Sequence, residues 1–184
     1  MMKLRVLIAA LCAAPLLASA ATYTQIDTQS SQIDFFYGQM GVNMEGIFSG
    51  VDGQIDFDSA QPEKASVSLR VKMDSVDTGS DEADEEVQKS EWFNVPEHPD
   101  ATFVSKQIKQ TDDNTFLVSG VLSIKGNEQT IEFPATVVEE DGRARFEGSF
   151  DMLRGDYAIG EGAWSKFDIV ANEVRIEFSI VATQ

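Results

Sequence analysis

The chain has 184 residues, enough for one domain with a sizeable core, and its formal charge of −17 comes from 31 acidic residues set against 14 basic ones. Such a surface repels phosphate backbones and anionic headgroups, so nucleic acid is not expected as a partner, and an apolar partner has to be met by a cavity or a local patch. Cys12 is the only cysteine, which leaves no material for disulfides or thiolate metal sites downstream of it.

Lys3 and Arg5 precede an apolar run from Val6 to Leu17 and then Ala18-Ser19-Ala20. This is the pattern of a secretory signal peptide cleaved near Ala20, too short to anchor in a bilayer. Leu11 stands before Cys12 where a lipoprotein signal wants a small residue, so lipidation is not expected. The expected domains are therefore 1–20, the signal peptide, and 21–184, a single folded unit.

Tyr23 to Thr28 reads as a short strand and Ile33 to Met40 as a longer one, with Ile33, Phe35 and Tyr37 on one face and Phe36 on the other. Aromatics on both faces fit a strand that is either covered on both sides or lines a cavity on one. Five glycines from Gly38 to Gly53 then flank Ile47-Phe48 and Ile55-Asp56-Phe57. Glycine inside strands marks bends, and a small barrel needs bends at its corners. Ala65 to Asp74 alternates cleanly, with Val67, Leu69, Val71 and Met73 on one face.

Ser80 to Glu91 is acidic and free of Gly and Pro, which predicts a helix capped by Ser80, with Trp92 and Phe93 at its last turn. The acid run lacks the central glycine of a calcium loop and reads as a solvated helix face, so no metal is expected. Pro96 and Pro99 push Val95 and His98 out of helical conformation and end the helix. Five strand-like runs follow: Ala101 to Lys109, Phe116 to Lys125, Thr130 to Val138, Arg143 to Leu153 and Glu173 to Ala182. Turn signals separate them at Asp112-Asp113-Asn114, Gly126-Asn127-Glu128 and Glu140-Asp141-Gly142. Arg154 to Asp168 breaks the alternation, and its Gly160-Glu161-Gly162 is not a phosphate loop because no helix with Lys-Ser or Lys-Thr follows. The fold class expected is all-β, an antiparallel lipocalin-like barrel of about eight strands with one main α-helix near its mouth.

Catalysis needs a nucleophile with a base, a metal, or paired acids in a cleft. The only histidine is His98, so a histidine-rich metal site cannot be built and an enzyme is not expected. A hydrolase using His98 stays open as an alternative, because geometry rather than presence defines a triad. What the chain offers instead is 12 Phe, 3 Tyr and 2 Trp on a strand-rich frame. An eight-stranded barrel is just wide enough for a packed core or one small ligand, so a filled barrel acting as a structural or interaction protein is the other alternative.

The stretch Ser90 to Ser105, with Ser75-Val76-Asp77-Thr78 before it and Val118 to Gly126 after it, resembles the YceI-like family, in order from about Tyr23 to the C-terminus. The resemblance implies a barrel exported to the periplasm that holds a polyisoprenoid in an apolar tunnel. Carried over by position, it implies ligand contacts from Phe35, Tyr37 and Met40 on the first long strand and from Phe48 on the bent second one. Trp92 and Phe93 would lie near the mouth, and Phe103 and Leu122 on later strands. Tyr157 belongs to a late basic and aromatic segment, Arg154 to Gly160. Trp164 closes Gly160-Glu161-Gly162-Ala163-Trp164, which is similar to the branch associated with cytochrome b561. That likeness implies a ubiquinone-type ligand with an isoprenoid tail, no other cofactor, and a cytochrome b561-type membrane partner; a homodimer stays open. Gln39 departs from the family, which commonly has a histidine there, and Asn127-Glu128-Gln129 departs from its usual small and basic turn.

Overall fold

The structure, a computed structural model, describes residues 21–184; the signal-peptide reading of 1–20 lies outside the described residues. Eleven strands run β1 (Thr22–Ile26), β2 (Gln32–Gln39), β3 (Val42–Phe48), β4 (Val51–Asp58), β5 (Ser66–Lys72), β6 (Val76–Asp77), β7 (Asp100–Asp112), β8 (Thr115–Ile124), β9 (Asn127–Glu140), β10 (Arg143–Leu153) and β11 (Val170–Thr183). One α-helix, α1 (Asp81–Val87), lies between β6 and β7.

Every pairing is antiparallel. The order β1-β4-β5-β7-β8-β9-β10-β11 closes on itself where Gln25 pairs with Thr183 and Ile26 with Ala182. β2, β3 and β6 continue β1, β4 and β5 beyond short breaks, and they pair in the matching order β11-β2-β3-β6. The eleven strands are thus eight staves, three of them bent, which is the barrel that the alternation and the glycines predict.

Serine hydroxyls seal the bends. At the β1/β2 break the Val181 N–H donates to Ser31 Oγ (3.0 Å), and that hydroxyl donates to the Asp27 carbonyl (2.7 Å). Between β3 and β4 the Gly50 N–H donates to Ser75 Oγ (2.9 Å), which in turn donates to the Lys72 carbonyl (2.6 Å). A third seal lies where the register of β7 slips after Ser105, whose Oγ accepts from the Val67 N–H (2.9 Å). A buried backbone N–H without a partner costs about 1–3 kcal/mol, so a stave can bend only where something replaces the ladder.

The hairpin turns are tighter than their composition suggests. Lys125-Gly126 (φ 51° and 74°) and Asp141-Gly142 (50° and 75°) are two-residue turns with both φ positive, so β9 begins at Asn127 rather than near Thr130. Met40-Gly41 (51° and 80°) is a third. That corrects Met40: it is the corner of a hairpin rather than the end of an inward-facing strand, and its side chain is 77% exposed.

The helix is also shorter than expected. α1 has seven residues and no buried face to extend along, and the chain leaves it through turns in which the Phe93 N–H reaches the Val87 carbonyl and the Val95 N–H that of Gln88. Trp92 and Phe93 are therefore set by these turns and not by a last helical turn. Ser80 sits at the N-cap without a side-chain bond; instead Asp84 Oδ1 accepts from the Thr78 N–H and hydroxyl (2.8 and 2.7 Å).

Candidate functional site

The inward faces of the staves form two apolar clusters, one around Phe57, Phe116 and Phe133, the other around Phe48, Trp92 and Met152, with Leu122 and Phe150 packed against both. They do not fill the interior. A narrow chamber of about 160 Å³ lies among ring strands, and a wider one of about 500 Å³ lies beneath α1. Phe48, Met73, Ile124, Met152 and Ile176 line both, so the chambers adjoin at a shared waist of side chains.

Phe35, Tyr37, Phe48, Trp92, Phe93 and Trp164 line the wide chamber. Phe35 stacks on Tyr37 with ring centroids 5.9 Å apart, Phe48 meets Phe93 edge-on at 5.8 Å, and Trp92 lies 5.4 Å from Trp164. Phe103 and Leu122 line the narrow chamber. Two glycines seat these rings: a Cβ on Gly46 would run into Phe35, and one on Gly120 would come within 2.5 Å of both the Phe103 ring and the Val104 carbonyl. Met40 and Tyr157 line neither chamber.

Tyr157 is 1% exposed, its hydroxyl has no partner among the described residues, and burial pushes its ionisation up to about 12. An unfolded phenol ionises near pH 10 while the folded one keeps its proton, so the stability tied to this group is complete below about pH 10 and is lost as the pH rises towards 12. Tyr157→Phe should remove that alkaline loss and leave stability at pH 7 unchanged or about 1 kcal/mol higher, since a buried hydroxyl without a partner is deleted. Urea unfolding of both proteins at pH 7 and pH 11 checks this; a clear loss at pH 7 would mean that the hydroxyl is bonded after all.

Arg154 is the buried residue of the chamber wall that the alternation pattern misses. It is 2% exposed and lines the wide chamber. Its Nε donates to the Ala171 carbonyl (3.0 Å), Nη1 to Ile159 (2.6 Å) and Gly160 (3.2 Å), and Nη2 to Trp164 (2.8 Å) and Val170 (2.9 Å). Its guanidinium lies 5.5 Å from the Trp92 ring and 4.9 Å from that of Phe167. Desolvation lowers its pKa, yet a guanidinium stays charged in a protein. The only signal in the sequence is a single Arg opening a Gly-rich, aromatic segment.

The loop wrapped around Arg154 is tied down from outside as well. The Gly160 and Glu161 N–H groups both donate to the Glu91 carbonyl, and Lys125 Nζ donates to the Ala158 carbonyl (2.9 Å) and to Glu161 (2.7 Å). Trp164 Nε1 donates to Glu86 Oε1 (3.2 Å), which joins this loop to α1 across the mouth. His98 stands apart from both chambers, its ring beside Gly126. No group of three or more His, Cys, Asp or Glu side chains placed to hold a metal occurs among the described residues.

A sequence profile of the YceI-like domain matches residues 24–182. The chain belongs to the YceI-like domain family. A UPF0312 protein of Azotobacter vinelandii is 32% identical to this YceI-like chain over 150 residues, which cover 77% of this chain and 78% of its own length. BcnA of Burkholderia cenocepacia is similar in structure with a TM-score of 0.82 and 34% identity, covering 86% of this chain and 99% of BcnA. A polyisoprenoid binding domain from Saccharophagus degradans aligns with a TM-score of 0.71 over 88% of this chain and 98% of its own; at 16% identity that likeness speaks to the fold alone.

Proposed function

We propose that this YceI-like domain shelters one long isoprenoid chain inside its barrel, the tail in the narrow chamber and the head in the wide one. The observation that carries the reading is the shared waist: five apolar residues belong to both chambers, so a single flexible chain can occupy them together. Each methylene taken from water into such a hollow is worth about 0.8 kcal/mol, so a long tail binds tightly with few polar contacts. The name of the Saccharophagus degradans domain, a polyisoprenoid binder of the same fold, supports the reading. The open chambers speak against a barrel packed solid by its own side chains.

The reading includes export to the periplasm, which rests on the signal-peptide pattern of residues 1–20. It also favours a quinone with an isoprenoid tail, exchanged with a cytochrome b561-type membrane partner, which rests on the resemblance of the Gly160–Trp164 segment. A homodimer is not required, because one chain closes the ring by itself.

The test is organic extraction of protein purified from the periplasm, followed by mass spectrometry. A co-purified isoprenoid is expected, retained by Lys109→Ala on the outer wall and lost by Leu122→Asp, which places a carboxylate in the narrow chamber. Equal retention in both variants, or an extract with no isoprenoid from the unaltered protein, would remove the reading.

A further inference from the structure

The wide chamber is where a ligand's head would sit, and its charges are unusual for a lipid carrier. Glu82 and Glu86 from α1 line it, and Arg154 is its only cation. That cation has nothing left to give. A guanidinium owns five N–H hydrogens, and all five are donated to backbone carbonyls.

The neighbouring lysines are engaged too. Lys89 Nζ is held by Glu86 Oε2 (2.6 Å), and Lys125 Nζ by Glu161 and the Ala158 carbonyl. A phosphate brought into this chamber would leave its hydration behind, meet the Glu82 carboxylate and that of Glu86, already paired with Lys89, and find no charged donor free to replace the lost water. Four neutral donors remain on the lining, the Tyr37 and Ser80 hydroxyls, the Gln39 side-chain amide and the buried Trp92 indole N–H, and none of them donates a hydrogen bond among the described residues. Desolvation and the nearby Asp84 raise the pKa of Tyr37, so it is a protonated donor throughout the neutral range. A carbonyl or hydroxyl oxygen suits these neutral groups and a dianion does not.

We propose that the mouth selects isoprenoids with an uncharged oxygen-bearing head, an alcohol or a quinone-type ring, over phosphorylated isoprenoids, and that Glu82 and Glu86 enforce the exclusion. This rests on the isoprenoid reading given above and names the head class within it.

The experiment uses the lipid-stripped full-length mature protein and three ligands of one tail length: a polyprenol, its monophosphate, and a quinone bearing that tail. Quenching of Trp92 and Trp164, which line the chamber, reports binding. The alcohol and the quinone should bind alike and the monophosphate about tenfold or more weakly. Glu82→Gln with Glu86→Gln should close most of that gap, because both negative charges go while glutamine still accepts from the Trp164 N–H and keeps the loop in place. Glu132→Gln with Glu147→Gln, two exposed acids on the outer wall, should leave the gap in place and so separate the mouth from the overall charge.

A monophosphate that binds as well as the alcohol overturns the proposal. So does a gap that the outer-wall pair closes as far as the mouth pair. Failure of all three ligands to bind strikes the isoprenoid reading itself, a different result from either of these.

Discussion

Arg154→Met should destabilise the protein by about 3 kcal/mol or more and free the loop that ends at β11. The substitution leaves the carbonyls of Ile159, Gly160, Trp164, Val170 and Ala171 without their donor. A buried polar group that loses its partner costs about 1–3 kcal/mol, and loop opening to water recovers only part of that over five groups. For a domain of this size the loss corresponds to a fall in Tm of about 6–12 °C.

Trypsin should then cut first after Lys166, an exposed residue inside the freed loop, and ligand should be lost with Trp164. Arg154→Lys should fall in between, since an ammonium has three donors for five acceptors and no planar fork. Calorimetry with limited proteolysis checks the series. A Met variant with unchanged Tm and an uncut loop would show that the carbonyls are satisfied without the guanidinium.

Met152→Trp should cut affinity for a long-tailed ligand by about a thousandfold and leave a short-tailed one nearly untouched. Met152 lines both chambers at the waist. An indole there blocks the passage, and a tail denied about five carbons of burial forfeits roughly 4 kcal/mol. Overpacking itself costs about 1–3 kcal/mol of stability, so the comparison is between two tail lengths on one variant whose Tm is also measured. Equal losses for long and short tails would mean that the narrow chamber is not part of the binding path.

The strands were legible because barrel walls impose a period of two. Val67, Leu69 and Val71, then Phe146, Phe150 and Met152, alternate inward as the pattern demands, and all six line the chambers. The glycines near Phe48 were legible as bends for the same reason. Met40 was not, because Met-Gly has no strong turn signature and the hairpin is forced by where β3 must pair. The early end of α1 was hidden because Gln88 to Glu91 has no breaker; the register is set by the bonds of Phe93 and Val95 back to Val87 and Gln88.

Arg154 and the sealing serines were hidden more deeply. An arginine or a serine in a polar stretch looks the same whether it meets solvent or replaces a missing ladder bond. Only the closed ring decides which, by bringing Val181 to Ser31 and Ala171 to Arg154.

The unequal size of the two chambers gives the hollow a direction. On the isoprenoid proposal, a slender tail passes beside Met152 into the smaller chamber while a bulkier head stays in the larger one, so the guest enters tail first and leaves head first. If the isoprenoid proposal holds, the barrel sorts its cargo by limpness and taper before any polar atom is consulted.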